Sequence, residues 1–589
     1  MFRWKGNALH PDAKYPVNTK ELGFFIDQNG CFRNREAPEL FFNFHYTNDD
    51  RHNEVRSEAM RVCHRREVLK RLAALGLKEL YLPTLSPNKP NGPHIPILAP
   101  AAEVLKARKR VLVVINDHAY QDLGILAYRE LQREGGVNGG SVINFVKGLA
   151  SRTRANVDPG LEGRLSKDGA GFERDEDVPG LIVLNTAQLL YSHKYNKALS
   201  FRSWDALPRK SVIHDAVKYY EVENRVDGHR TPEEHIKTVF ETVIKNPDFV
   251  SPGAEVYVVA IESGVESLIS ILDGNLHKYG ERIVALALIQ SPKVGQIKNP
   301  DLKAFLHARA RHWQTSQFGS PNPSQCNALP SNYVSNAVSR KPDTEASIDW
   351  LEKSQGGVGH HAYTPCTKVL VSKAAMPPTP EASSDDGFQD DGPTCPTFGG
   401  GDTWVGECVF TQPVVQQAIL SFFEDVARDP DNYCNPDFSL EIPNPSPEEP
   451  TTLSADSRLD ADMLNPEKQV LLVAQEELRQ LHAAFLATPQ GDPEFGPALT
   501  RLEKLIKNKD AEIKELEEKA VAKGALGADA EQELRDNWKH KMNGEKWTEK
   551  VPGKNIPFAG VMADSNIVAS AGCLDTTKEE LAKLDLEDD

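Results

Sequence analysis

The segment 255–272 contains the residues of this chain whose types and spacing come closest to those of a catalytic centre. A run of β-branched residues predicts a buried strand, and apolar residues at helical spacing predict a helix directly after it. The two are joined by the small-residue turn Ala260-x-Glu262-x-Gly264. A tight strand-to-helix turn presents its central side chain at an exposed corner, where a nucleophile has to stand. Here the central residue is a glutamate, and Ser263 follows one position later.

This turn is similar to the nucleophile elbow of α/β-hydrolases, in which G-x-S-x-G places a serine at the corner. Because Glu262 stands at the nucleophile position, the sequence predicts a hydrolase-like architecture without the nucleophile. We interpret Glu262 as a cap of the following helix or as part of a polar network, and the alternative is a buried acid with a raised pKa. If the site were active, Ser263 would attack, or Glu262 would assist the reaction.

A second group of polar residues follows the strand predicted at 110–115. Parallel sheets bind ligands beyond the carboxyl ends of their strands, so we expect these residues at the same edge as the turn. The alternative is a loop whose polar side chains cap the next helix. The predicted binding edge comprises Asn116, Asp117, His118, Glu262, Ser263 and Gly264. Asp117 and His118 would supply the acid or base if the site were active.

Two further groups of candidate residues lie outside this edge. The adjacent histidines His360 and His361 could supply a catalytic base or a metal ligand, although a pair in a glycine-rich loop is usually neither. Arg309, Arg311 and Trp313 combine positive charge with an aromatic ring, a pattern found at RNA contacts.

Composition and motif content exclude several protein classes. No run approaches 18 uninterrupted apolar residues, and the N-terminus lacks the apolar core of a secretory signal, so no membrane span or export is expected. The eight cysteines form no C-x-x-C pair, which argues against a disulfide framework and a metal site. The glycine-rich stretch 135–141 matches neither G-x-G-x-x-G nor a Walker loop, so no cofactor is expected. We expect a reducing compartment, the nucleus and/or the cytoplasm.

The negative charge of the chain is concentrated near its C-terminal end. The formal net charge is −17, and residues 441–589 account for −13 of it, with 31 acidic and 18 basic residues. A protein with this balance does not hold bare nucleic acid through bulk electrostatics. This balance does not exclude a local basic groove or binding to RNA through a partner.

Strand and helix patterns alternate along the first three quarters of the chain. Four short and almost wholly apolar runs predict buried strands, at 110–115, 181–184, 256–259 and 283–289. Because helical segments separate them, we expect an α/β fold with a doubly wound, mostly parallel, hydrolase-like sheet. The predicted order is this domain at 15–430 with mobile insertions at about 151–177 and 374–401, a proline-rich linker at 431–465, a helical hairpin or coiled-coil segment at 466–523, and a mostly disordered acidic tail at 524–589.

Several short blocks of the first 430 residues carry a family resemblance. The blocks are Leu22-Gly-Phe-Phe-Ile26 with Arg33, Phe44 with Asn53-Glu-Val-Arg56, Val113-Val-Ile-Asn116 with Gln121-Asp-Leu-Gly-Ile-Leu-Ala-Tyr-Arg129, Gly139-Gly-Ser141, Leu184-Asn-Thr186, Thr231 with Glu234-His235, and Cys395 with Gly406-Glu407. In order and spacing they resemble the Argonaute-binding Arb2 ("Arb-two") domain family of fungal silencing proteins, over roughly residues 15–430. That domain also accompanies fungal class II histone deacetylases, but no deacetylase domain is recognised in this sequence.

The resemblance implies a function as well as a fold. It implies an α/β-hydrolase-like scaffold, a subunit of an Argonaute small-RNA chaperone complex that serves RNA-mediated heterochromatin assembly. The implied partners are an Argonaute-type protein and other subunits of the silencing complex. We therefore expect a non-catalytic adaptor, and the alternative is a serine-type or glutamate-assisted hydrolase.

Overall fold

The computed structural model describes residues 11–154, 165, 169–211, 214–291, 297–315, 320–330, 333, 348–354, 392–438, 440, 466–522, 555–558 and 561–564. The chain divides into two compact units, residues 1–449 with 475–512 and residues 450–474 with 513–589. Among the described residues, no helix is long and apolar enough to cross a membrane.

Strands and helices alternate as an α/β pattern requires. The strands are β1 (Phe24–Ile26), β2 (Phe32–Asn34), β3 (Lys78–Leu82), β4 (Ile95–Ala99), β5 (Arg110–Ile115), β6 (Leu181–Val183), β7 (Leu190–Ser192), β8 (Lys197–Leu199), β9 (Glu255–Ile261), β10 (Ile283–Ile289), β11 (Ala310–Gln314), β12 (Cys326–Ala328), β13 (Thr397–Gly399), β14 (Asn555–Phe558) and β15 (Val561–Asp564). The helices are α1 (Asp50–Ala74), α2 (Ala102–Ala107), α3 (Tyr128–Leu131), α4 (Gly136–Gly139), α5 (Ile143–Arg154), α6 (Phe201–Asp205), α7 (Pro232–Val239), α8 (Ser263–Tyr279), α9 (Pro300–Arg309), α10 (Pro413–Arg428), α11 (Pro466–Ala487) and α12 (Gly496–Ala522).

A nine-stranded mixed sheet organises the first unit. Its strand order is β12-β13-β11-β10-β9-β5-β6-β4-β3. The six neighbours from β13 to β6 run parallel, whereas β12 at one edge and β4 and β3 at the other pair antiparallel. The four strands predicted from apolar runs are present as β5, β6, β9 and β10, side by side in the middle of the sheet. The fold is α/β with a mostly parallel central sheet.

Helices cover both faces of this sheet. Successive residues of a strand point to opposite faces, so Leu112 and Val114 join a buried cluster with residues of α1, α5 and α10. Val111 and Val113 join a second cluster with residues of α7, α8 and α9. Each such side chain stabilises the fold by about 1.5–3 kcal/mol when it is fully buried. This two-sided burial is why β5 and β9 are apolar after their first residues, Arg110 and Glu255.

The three strands at the centre of the sheet end at one edge. The register of β5 against β9 and of β10 against β9 brings their carboxyl ends within one residue of each other. The residues that follow these ends are Asn116, Glu262 and Gln290. A parallel arrangement therefore gathers residues that are far apart in the sequence.

Some segments differ from the predicted domain plan. The composition predicts a mobile insertion at 374–401, but strand β13 lies inside this stretch. It pairs with β11 and β12, and its residue Phe398 is buried in the core. Residues 374–391 lie outside the described residues. The stretch 151–177 begins within α5 and ends in a 3₁₀ turn. Strands β14 and β15 form an antiparallel pair inside the tail 524–589.

Two helices, α11 and α12, follow the linker region. Within the first unit, the turn between them contacts the N-terminal hairpin of β1 and β2. Phe495 is 6% exposed and its ring centroid lies 4.9 Å from that of Phe25. Glu494 forms ion pairs with Lys20 and Arg35. Exposed ion pairs contribute about 0–1 kcal/mol each, so the buried aromatic contact contributes most of this docking.

Candidate functional site

A cavity of about 510 Å³ opens at the edge where β5, β9 and β10 end. It is lined by Asp117, Ala119, Tyr120, Glu262, Ser263, Gln290, Gly406 and Glu407. The structure thus brings part of the predicted binding edge together. It adds Gln290, Gly406 and Glu407, which the sequence analysis did not place at this edge.

The turn between β9 and α8 is held in an unusual backbone conformation. Glu262 has φ 48° and ψ −119°, in the left-handed half of conformational space, which costs a residue with a Cβ about 1–3 kcal/mol. Two hydrogen bonds fix it. The Glu262 amide donates to the Ile289 carbonyl at 2.9 Å, and the Val265 amide donates to the Glu262 carbonyl at 2.9 Å. The end of β10 therefore holds the corner.

Gly264 allows α8 to approach β5 closely. A Cβ at this position would lie 2.9 Å from the carbonyl oxygens of Ile115 and Asn116, closer than carbon and oxygen can pack. Any larger side chain would force the helix away from the strand. The glycine is therefore required by space, and its position in the turn fixes where Glu262 and Ser263 lie.

The Glu262 carboxyl lines the cavity, and no described residue forms an ion pair with it. Burial, followed by the charges of Asp117 and Glu407, raises its pKa to about 7. The interpretation of Glu262 as a helix cap is wrong, because its side chain accepts no hydrogen bond from the first turn of α8. A capping side chain reaches the helix amides from an extended backbone, and the left-handed φ of Glu262 does not allow this. The alternative, a partly buried acid, agrees with the structure.

Ser263 is bound to the loop after β5. Its hydroxyl donates to Oδ1 of Asp117 and accepts the backbone amide of His118 at 3.1 Å. The other carboxylate oxygen of Asp117 accepts the amides of Ala119 (2.9 Å) and Tyr120 (2.6 Å). A carboxylate therefore lies within reach of the hydroxyl, but it also holds the loop together. His118 contributes its amide to this contact, and its side chain is exposed.

Asn116 has a structural role. It is buried, its side-chain oxygen accepts the amide of Thr186 at 3.1 Å, and its carbonyl accepts the hydroxyl of Thr186 at 2.7 Å. These bonds tie the loop after β6 to the end of β5. Asn116 thus supports the edge of the cavity but does not line it.

A buried polar network lies behind this edge and contains several residues of the blocks quoted above. Asp122 accepts hydrogen bonds from Arg65 (2.7 Å), Gln188 (3.1 Å) and the hydroxyl of Tyr128. Asn185 in turn donates to Gln188 at 3.1 Å. A buried charge is tolerated only when it is paired and hydrogen-bonded, as here. The network joins α1 to the loops after β5 and β6, so these residues act by fixing the fold.

The proposed RNA contact does not agree with the structure. Arg309 is 6% exposed and donates to the backbone carbonyls of Pro430 (2.7 Å) and Asp431 (3.2 Å). Trp313 is 1% exposed in strand β11, and Arg311 packs over the Phe422 ring at 4.5 Å. The alternation of polar and apolar residues is that of a sheet strand, which the sequence analysis did not recognise. The pair at 360–361 lies outside the described residues.

Five residues of the cavity lining were not predicted as site residues: Ala119, Tyr120, Gln290, Gly406 and Glu407. Glu407 follows the 392–401 segment in the chain, and burial raises its pKa although Arg129 and Arg202 act in the opposite direction. Gln290 has φ 46°, and its side-chain oxygen accepts the Thr315 amide at 2.8 Å. Gly406-Glu407 belongs to the last of the quoted blocks, but no spacing in the sequence connects it to the turn after β9.

Chemically, the site offers carboxyl groups at the end of a sheet. Among the described residues, no set of three or more His, Cys, Asp or Glu side chains is arranged to hold a metal ion. A carboxyl group with a pKa near 7 can exchange a proton or a hydrogen bond with a ligand at neutral pH. No histidine ring of the described residues is hydrogen-bonded to Ser263, so the usual base of a serine nucleophile is not in place.

Comparison with known proteins identifies one family. A family model described as the Arb2 domain matches residues 15–318, which is more than half of the chain. No curated protein and no solved structure matches the chain.

The raised pKa of Glu262 predicts a pH-dependent effect of Glu262→Gln. The folded protein binds this proton more tightly than the unfolded chain, so stability is lost as the pH rises from about 4.5 to about 7. We expect Glu262→Gln to raise the free energy of unfolding by about 1–2 kcal/mol at pH 8, a value reduced because the side chain is partly exposed, and to have little effect at pH 4.5. Urea unfolding of Glu262→Gln at both pH values measures this effect.

The control is Glu266→Gln, on the exposed side of α8, and it should show no such change in stability between the two pH values. An equal effect of Glu262→Gln at both pH values would contradict the prediction.

The close approach of α8 to β5 predicts that Gly264→Ala destabilises the protein. We expect a loss of about 1–3 kcal/mol, because the added methyl group meets backbone oxygens that cannot move aside. Gly148→Ala, in the interior of α5 with open space around it, should instead give about 0.5–1 kcal/mol of added stability. Denaturant unfolding of the two variants distinguishes packing from helix propensity. Equal changes in both would show that Gly264 is not confined.

Proposed function

This chain belongs to the Arb2 domain family, and from that membership we propose that it is a non-catalytic scaffold with an α/β-hydrolase-like domain. In this proposal it is a subunit of an Argonaute small-RNA chaperone complex that acts in RNA-mediated heterochromatin assembly. Its partners are an Argonaute-type protein and other silencing-complex subunits, and small RNA is held through them. It works in the nucleus and/or the cytoplasm.

One observation carries the non-catalytic part of the proposal. The corner between β9 and α8 has the strained backbone that presents a nucleophile in hydrolases, yet the residue there is Glu262. A partly buried glutamate whose pKa is raised to about 7 is a poor nucleophile and a good hydrogen-bonding group. The cavity beside it is a preformed concave surface, and such surfaces bind partner segments as well as substrates.

A second candidate function rests on a different observation. The Ser263 hydroxyl is hydrogen-bonded to the carboxylate of Asp117, so a serine-type hydrolase remains the alternative, with Glu262 as a possible proton donor. An acyl-transfer reaction would need Asp117 to take the hydroxyl proton, while the same carboxylate holds the amides of residues 119 and 120. We expect purified protein to hydrolyse p-nitrophenyl esters no faster than its Ser263→Ala variant. A loss of tenfold or more in Ser263→Ala would favour the hydrolase.

The scaffold proposal predicts what the protein retains in its own cells. Affinity purification of the tagged chain should recover an Argonaute-type protein and duplex small RNA, identified by mass spectrometry and RNA sequencing. Nuclease treatment should release the RNA and leave the Argonaute-type protein bound, because the contact is between proteins. Ser263→Ala should recover the same partners, since no reaction is involved. An eluate without both components would contradict the complex role.

A further inference from the structure

Two residues of the cavity repeat one backbone geometry at the ends of neighbouring strands. Glu262 follows β9 with φ 48°, and Gln290 follows β10 with φ 46°. The Glu262 amide donates to the carbonyl of Ile289 at 2.9 Å, and the Gln290 amide donates to the carbonyl of Trp313 at 2.8 Å. A left-handed backbone is unfavourable for a residue with a Cβ, and such residues cluster where a protein holds a ligand. The same unfavourable geometry therefore occurs twice at this cavity.

The side-chain amide of Gln290 has a fixed orientation. Its oxygen accepts the backbone amide of Thr315 at 2.8 Å and the hydroxyl of Thr315 at 3.2 Å. Because a backbone N–H needs an acceptor, these bonds place the oxygen on that side and the NH₂ group on the other. The nitrogen lies beside Gly406, where an added Cβ would be 3.1 Å away from it. Among the described residues the nitrogen has no hydrogen-bond partner, so its two N–H donors are available at the cavity wall.

Glu262 provides an acceptor beside these donors. Ile261 and Ile289 are paired in the register of β9 and β10, so Glu262 and Gln290 follow at adjacent positions on strands about 4.8 Å apart. Within the part of the chain that the structure describes, the Glu262 carboxyl has no hydrogen bond or ion pair. Ser263 and Asp117, by contrast, are bonded to each other. The cavity wall thus presents a free donor group and a free acceptor group side by side.

A carboxamide carries the matching pair of groups. Its oxygen accepts an N–H donor, and its own N–H donates to a carboxylate. With Gln290 bonded to the oxygen and Glu262 bonded to the nitrogen, neither polar group of the ligand is left unpaired. The ring of Tyr120, which is 53% exposed and lines the same cavity, would contact the apolar stem that carries the amide. The cavity volume of about 510 Å³ is typical of sites that enclose a small group.

The charges around the pair distinguish a protein segment from a nucleic acid. The edges of nucleobases also carry adjacent donors and acceptors, so they offer the same two hydrogen bonds. A nucleic acid brings its phosphates with these bases, and the acids Asp117, Glu262 and Glu407 of the lining repel them. A glutamine or an acylated lysine brings an uncharged amide on an apolar stem. The observations therefore favour a protein segment.

We propose that Glu262 and Gln290 together bind the carboxamide of a side chain on a partner protein, either a glutamine or an acylated lysine. The Gln290 nitrogen donates to the amide oxygen, the Glu262 carboxylate accepts the amide N–H, and Tyr120 contacts the stem. The inference rests on the proposed scaffold function, and it specifies which group of the partner the cavity recognises.

Peptide binding to the unaltered full-length protein tests the inference without any mutation. The first probes are mixtures of short peptides with a central glutamine, and matched mixtures with glutamate or methionine in its place, which have nearly the same shape. The second probes carry Nε-acetyl-lysine or lysine at the centre, and they separate the two sources of the amide. Fluorescence anisotropy is measured at pH 8, where the Glu262 carboxyl is mainly ionised because its pKa is about 7. Either the glutamine or the acetyl-lysine mixture should bind at least tenfold more tightly than its controls.

Exchange of the two side chains tests the geometry. Gln290→Glu keeps an acceptor for Thr315 but replaces the donating nitrogen with oxygen, so the favoured peptides should bind at least tenfold more weakly. The double variant Glu262→Gln/Gln290→Glu restores a donor and an acceptor in reversed positions. The terminal amide of a glutamine can turn round, so this variant should regain most of the affinity for glutamine peptides. An acetyl-lysine amide cannot turn round without moving its stem, and its affinity should stay low. Gln417→Glu, at an exposed position of α10, is the matched control and should leave binding unchanged.

Three results would overturn the inference. They are equal affinity for the amide peptides and their controls, tighter binding of a single-stranded RNA than of any peptide mixture, and full binding of the favoured peptides by Gln290→Glu. Recovery of partners from cells separates the inference from the proposed function. If Gln290→Glu recovers the same partners as the unaltered protein, the inference fails while the scaffold function stands. If the unaltered protein recovers no partner, the scaffold function itself fails, whatever the peptides show.

Discussion

The close contact of α8 with β5 at Gly264 is the constraint on which the candidate site depends. The helix can begin directly after β9 only because no side chain separates it from the backbone of residues 115 and 116. Glu262, the residue just before α8, has a left-handed conformation in this turn, and the end of β10 stabilises it through a hydrogen bond at 2.9 Å. Three strands thus contribute to one corner, and the cavity forms where they end. The strain at Glu262 is therefore a consequence of the packing of the sheet and its helix.

Unbalanced charge is the second feature that sets this edge apart from the interior. Elsewhere in the first unit, several buried charges are paired, as Arg65 is with Asp122 and Arg33 is with Asp27. At the cavity, Glu262 and Glu407 have raised pKa values, mainly because they are buried. The guanidiniums of Arg129 and Arg202 lie over aromatic rings, and their charges only partly offset the burial of Glu407. Such an arrangement costs stability, and it is retained most readily where a ligand supplies the missing partner.

The local pattern of apolar residues was enough to predict the central strands of the sheet. It failed for the segments whose structure depends on tertiary contacts. Strands β5, β6, β9 and β10 are continuous apolar runs, so they were predictable, and so was their meeting edge. Strands β11 and β13 are short and mixed in composition, and the charged residues of β11 were interpreted as an RNA contact. Glu262 was interpreted as a helix cap, and this interpretation failed because its left-handed φ depends on packing against another strand, which the local sequence does not show. Glu407 joins the site through the sheet and not through any motif.

The central claim is that this edge binds and does not react, although a serine lies in it. Covalent capture with a fluorophosphonate, read by intact mass on the purified full-length protein, tests the claim most directly, because the reagent modifies only a serine that a base has activated. The account predicts an unmodified mass, since Ser263 is held by Asp117 and the amide of His118. One adduct per chain on Ser263, absent from Ser263→Ala, would contradict it and establish an active hydrolase.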